Sequence, residues 1–201
     1  RQSCITAVAL LVVILTACAT PTQTSPTPPP TQTPFSVLGT IRPGDKIGEM
    51  TVERSRSMDY YRLIDAFDFD VTIIEPHSQT REGTLPELSA VGVNIGWGAF
   101  KTKIESNWEA MSYELYIDDY QIALDQFGWD DINYFDETGT EVTYRTWDVI
   151  IKNLSAGRHT IRQSFSLEVS VDDGWNTYPP GKYEYIANLK VTEKPIYPTI
   201  S

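Results

Sequence analysis

Histidine and cysteine are scarce in this chain, with two of each among 201 residues. Two cysteines cannot build a disulfide framework of the kind that holds small secreted domains together. No G-x-S-x-G elbow, H-E-x-x-H pair or P-loop is present, so no compact catalytic motif announces itself and an enzyme is disfavoured. Positive charge is also in short supply: 16 basic residues stand against 27 acidic ones, for a formal net charge of −11. Phosphate backbones attract Lys and Arg, so this balance argues against nucleic acid as a partner. Heptads, collagen repeats and amphipathic helices of any length are missing. With 27 acids, some pair will meet the spacing of roughly 5 to 9.5 Å that glycoside hydrolysis needs, so no pair is singled out.

The one long apolar run is Ile5 to Ala17, and it follows Arg1. A transmembrane helix needs about 20 apolar residues, so this run is short for one. A positive start, a brief apolar stretch and small residues at its end describe a secretory signal. Its last residues, Leu15-Thr16-Ala17-Cys18, resemble the lipobox of bacterial lipoproteins. That resemblance implies that the Cys18 thiol receives a diacylglycerol and that the chain is cut before it. Cys4 would leave with the signal. Acyl chains such as palmitate contribute roughly 0.8 kcal/mol per buried methylene, so two or three hold far more firmly than one. Ala19 to Pro34 contains only Ala, Thr, Pro, Gln and Ser. Such a segment cannot bury enough surface to offset its ordering entropy and reads as a Pro-stiffened spacer, able to reach roughly 50 Å. The expected organisation is a signal over 1–17, a lipidated linker over 18–37, a folded domain over 38–195 and a tail over 196–201.

Within that domain the apolar period is two. Phe67-Phe69-Val71-Ile73, Val91-Val93-Ile95-Trp97 and Tyr113-Leu115-Ile117 each alternate with smaller or polar residues. So do Trp147-Val149-Ile151, Ile161 with Phe165-Leu167-Val169-Val171, and Tyr183-Tyr185 with Leu189-Val191. Weaker strands are predicted over 47–54 and 121–124. Turn signals separate the runs at Glu82-Gly83, Glu137-Thr138-Gly139, Ser155-Ala156-Gly157, Asp172-Asp173-Gly174 and Pro179-Pro180-Gly181. The pattern predicts an all-β domain, an antiparallel two-sheet sandwich of seven or eight strands. Trp147 to Leu154, the Ser155-Ala156-Gly157 turn, the strand from His159 and the passage Pro180-Gly181-Lys182-Tyr183 resemble the end of an immunoglobulin-like domain. The Cys pair and packing Trp of antibody-type domains are absent.

Candidate sites remain. His77 and His159 read as solvated. The acids from Asp125 to Glu141 form either a solvated face or a calcium-binding stretch, and they lack EF-hand spacing; no metal or cofactor is assigned. Trp97 and Trp147 fall on apolar strand faces and read as core. Trp108, Trp129 and Trp175 fall in polar or turn-like segments. Flat rings beside Asp and Asn suit sugar recognition, with stacking on the ring face and hydrogen bonds at the hydroxyls, although rings capping the ends of a sandwich would look the same. The bare face Gly92, Asn94, Gly96 and Gly98 either admits another backbone or a flat ligand, or makes room for large rings, and the last reading is favoured. The sequence thus predicts a lipid-anchored, extracytoplasmic, non-catalytic binding module for glycan or protein. The alternative is a structural or assembly lipoprotein that contacts partner subunits.

Overall fold

The computed structural model describes residues 37–55, 61–62, 67, 69–86 and 88–193. The signal, the lipobox, the linker up to residue 36 and the 196–201 tail lie outside the described residues. Among the described residues no helix is long and apolar enough to cross a membrane.

The domain is mostly β, as its period-two patterning requires. Among the described residues, fourteen strands run in chain order with two short helices between them. They are β1 (Gly39–Ile41), β2 (Lys46–Ile47), β3 (Met50–Arg54), β4 (Tyr61–Arg62), β5 (His77–Pro86), β6 (Leu88–Phe100), α1 (Ile104–Glu109), β7 (Met111–Ile117) and β8 (Tyr120–Ile122). Next come α2 (Leu124–Phe127), β9 (Asp130–Phe135), β10 (Glu141–Leu154), β11 (Gly157–Leu167), β12 (Val171–Asp172), β13 (Thr177–Tyr178) and β14 (Gly181–Thr192). One sheet has the order β1-β8-β7-β11-β14-β5. The other has the order β2-β3-β10-β6-β4, with β9 also paired to β10, and β12 and β13 form a small ribbon.

Three expectations change. The strands outnumber seven or eight because several are only two or three residues long, below the reach of a periodicity. The sheets are mixed rather than antiparallel: β1 with β8, β5 with β14 and β4 with β6 all run parallel. Parallel neighbours need long connections, which local patterning does not reveal. Finally, the described residues of 67–73 lie in no strand. Phe67 is buried, but Thr72 donates from both its backbone N–H and its hydroxyl to Asp70 Oδ1, at 3.0 and 2.6 Å. That local side-chain turn breaks the alternation and leaves Val71 exposed. The Glu82-Gly83 turn signal instead lies inside β5. Gly83 is there because the Phe67 ring sits where a Cβ would be, at 2.8 Å. Val169 lies outside β11 and is exposed.

One core cluster draws on both large sheets, with Val52, Val91, Leu115, Ile117, Val149, Ile151 and Leu154 at 0% exposure. Each such side chain contributes roughly 1.5–3 kcal/mol by leaving water. A smaller cluster, Trp97, Ala99, Ile104, Leu167, Val171 and Tyr183, lies against α1. The β6–β10 pairing is close because Gly96 lacks a side chain: a Cβ there would stand 2.2 Å from the Arg145 carbonyl oxygen. At Gly96 the bare face therefore admits a backbone, contrary to the favoured reading. At Gly98 it abuts the Tyr144 ring. Asn94, on the same face, donates to Asp148.

Candidate aromatic groove

The centre of the site is a charged residue on an apolar strand face. In β10, Trp147, Val149 and Ile151 point into the core, and the same alternation carried back two residues puts Arg145 on that face. Arg145 is 5% exposed. A buried guanidinium must be paired, and this one is. The β9–β10 register sets Asp131 opposite Arg145, and Arg145 Nε and Nη2 donate to the two Asp131 oxygens at 2.7 and 2.8 Å. Arg145 Nη1 and Nη2 donate to the two Glu105 oxygens at 2.9 and 2.7 Å. These hydrogen bonds hold both carboxyls below their ordinary values and push the guanidinium further up.

α1 brings Glu105 and Trp108 to the same side, because residues three apart are helical neighbours. Asn107, buried, anchors α1 by donating to the Asp172 carbonyl at 3.0 Å. Trp129 precedes β9. Its carbonyl accepts from Arg54, which also donates to both Asp130 oxygens at 3.1 Å. The Arg145 guanidinium then lies 5.5 Å from the Trp108 ring and 5.6 Å from the Trp129 ring, within cation–π range of both.

The rings form a contiguous cluster. Trp108 lies 4.5 Å from Trp147, 4.8 Å from Tyr113 and 5.9 Å from Trp129 by ring centroid, and Trp129 stands 84° to Trp147 at 6.3 Å. Burial keeps the Tyr113 phenol neutral by pushing its pKa up, and its hydroxyl donates to the Met111 sulfur. The buried Trp147 Nε1–H has no hydrogen-bond partner among the described residues, which costs roughly 1–3 kcal/mol. These rings, together with Ile122, Leu124 and Asp125, line a groove of about 460 Å³. That volume is in the range of small-ligand sites, and the mix of apolar rings with a few polar groups is typical of them.

The structure thus brings together two of the three sequence candidates. Trp129 is 47% exposed and Trp108 half-buried. Trp175 lies elsewhere: it packs edge-on against Phe100 at 4.9 Å and its Nε1 donates to Asp136 Oδ2 at 3.3 Å. The core reading of Trp147 holds, at 7% exposure, although the ring also borders the groove; sequence reasoning missed Tyr113 and Arg145. A lone Arg in phase with an apolar strand face was the available signal.

The other candidates resolve differently. His159 is not solvated. It is 8% exposed, with Nδ1 2.6 Å from Asp118 Oδ2 and Nε2 2.9 Å from the Ser155 carbonyl. Two acceptors face the two ring nitrogens, so only the doubly protonated ring satisfies both, and its pKa is raised, chiefly by Asp118. His77, half-buried, opens β5, with Nδ1 2.7 Å from the Glu75 carbonyl. The acids of 125–141 are engaged one by one: Asp130 with Arg54, Asp131 with Arg145, Glu141 with Lys101, and Asp136 with the N–H groups of Thr138 and Thr140. Among the described residues, no group of three or more His, Cys, Asp or Glu is placed to hold a metal ion.

No family model and no curated protein matches the chain. Solved structures give faint overlaps. One is a chain from a structure of PbICP-C in complex with falcipain-2, at 13% identity and a TM-score of 0.31, covering 60% of this chain and 93% of that one. Another is the cysteine protease inhibitor EhICP2 from Entamoeba histolytica, at 9% identity and a TM-score of 0.28, covering 59% and 96%. Overlaps this slight assign no activity.

Proposed function

We propose that this chain is a membrane-anchored, extracytoplasmic lipoprotein whose immunoglobulin-like two-sheet sandwich is a non-catalytic module that binds glycan. The anchor rests on Leu15-Thr16-Ala17-Cys18 closing an apolar run, with a Thr/Pro linker behind it. The sandwich reading draws support from a core shared by the two large sheets. The binding role is carried by one observation: Trp108, Trp129, Trp147 and Tyr113 line one groove. Pyranose rings present flat C–H faces that stack on such aromatic rings while their hydroxyls reach polar groups on the rim. Titration of neutral and charged oligosaccharides with Trp fluorescence as the readout tests this. Saturable quenching or blue shift that vanishes in Trp129→Ala supports it, and no response to any sugar refutes it. Mass spectrometry of the chain from its native host tests the anchor: an unmodified Cys18 removes it. A structural or assembly role is the second reading. It is favoured by Tyr134 and Phe135 on β9, at 47% and 71% exposure, since exposed apolar groups on a sheet edge suit a protein partner.

A further inference from the structure

The charge around the groove narrows the class of sugar, on the premise that the groove binds glycan. We infer that it takes a glycan bearing protonated amines, such as a de-N-acetylated amino sugar, in preference to neutral or anionic sugars. The groove lining contains no Lys, Arg or His, and its one charged side chain is Asp125. Asp125 is exposed, and its hydrogen-bond partner is the neutral amide of Gln126. The two guanidiniums beside the aromatic rings are already committed. Arg54 is held by Asp130, and Arg145 is held by Asp131 and Glu105 through Nε, Nη1 and Nη2. Three carboxylates therefore pair with two guanidiniums, and Asp125 adds a fourth acid on the groove itself, leaving an excess of negative charge beside an aromatic surface. Ring faces attract cations, and they do so more strongly where water is excluded. Trp108 and Trp129 already hold one cationic group, Arg145, against their faces. An anionic sugar would meet the opposite situation: Asp125 repels it and no free donor cation receives it. The chain's net charge of −11 acts in the same direction at longer range.

Isothermal titration of the full chain in detergent separates the possibilities. The probes are short oligomers of glucosamine, N-acetylglucosamine, glucose and galacturonate, and trilysine as a cation without a sugar. The glucosamine oligomer is expected to bind about tenfold tighter than the two neutral oligomers, the gain expected of a partly desolvated cation–π contact and a carboxylate partner. That preference should shrink in Asp125→Asn, weaken with added salt and disappear once pH deprotonates the amines. Circular dichroism of the variant confirms that its fold is intact. Equal binding of neutral and cationic oligomers overturns the inference and leaves the glycan reading standing. Tighter binding of galacturonate overturns it outright. Trilysine binding as tightly as glucosamine overturns the sugar assignment in favour of a basic peptide. No binding by any sugar removes the glycan reading and this inference together.

Discussion

Replacing Arg145 by Met isolates what the buried guanidinium does. The substitution keeps an unbranched stem of similar reach and removes the charge, so core packing is largely retained. Lost are the bidentate pair to Asp131, the pair to Glu105 and the two contacts to Trp108 and Trp129. A hydrogen bond to a charged group contributes about 1.5–3 kcal/mol when buried. Asp131 has 36% of its side chain exposed, so solvent screens it, and about 1–2 kcal/mol is a fair share for that pair. Glu105 is 72% exposed and adds only a screened attraction. Two cation–π contacts at about 0.5–1 kcal/mol each bring the expected loss to about 2–4 kcal/mol. For a domain of this size that lowers Tm by about 4–16 °C. The sign of the pH dependence is fixed as well. Arg145 holds the Glu105 and Asp131 carboxyls below their ordinary 4.5 and 3.8. A depressed folded value gives stability that is present above that range and lost as pH falls through it. The gap between wild type and Arg145→Met should therefore be full at neutral pH and close as pH drops below 3.8. Urea melts at a series of pH values measure it. A loss under about 0.5 kcal/mol, the level of an unremarkable surface change, would refute the account, and so would a gap unchanged at acid pH.

His159 yields an opposite slope. Its folded pKa lies above 6.5, so its contribution is complete below 6.5 and declines as pH rises through the folded value. His159→Gln should abolish that decline in urea melts, and a wild-type slope in the variant would count against the Asp118 pairing. Gly96→Ala should destabilise by about 1–3 kcal/mol, because its Cβ meets a backbone oxygen at 2.2 Å. Gly98→Ala meets only the Tyr144 ring at 3.4 Å and should be milder; equal Cm shifts would dismiss the close-approach explanation. Trp129→Ala should lower glycan affinity at least about tenfold, while Trp175→Ala leaves it unchanged, since an aromatic contact is worth that much. An affinity loss in Trp175→Ala would show that ligand reaches beyond the groove.

The alternation of Val91 to Trp97 and of Trp147 to Ile151 determined by itself that these stretches are strands, and which of their faces is buried. The scarcity of basic residues and the lipobox-like tetrapeptide were likewise legible before any coordinates. What tertiary structure decided was which neighbours meet. Trp108 and Trp129 share a cluster because a six-residue helix and a two-strand register converge on Arg145, while Trp175, equally polar in its local sequence, was drawn to Phe100 and Asp136. The misreading of 67–73 has the same root: Asp70 and Thr72 satisfy each other locally, and a period of two counts side chains without counting their hydrogen bonds. Periodicity reports whether a side chain is wet or dry. The partner that a buried charge or ring finds is set by contacts between residues far apart in the chain, and those exist only once the sheets have closed on one another.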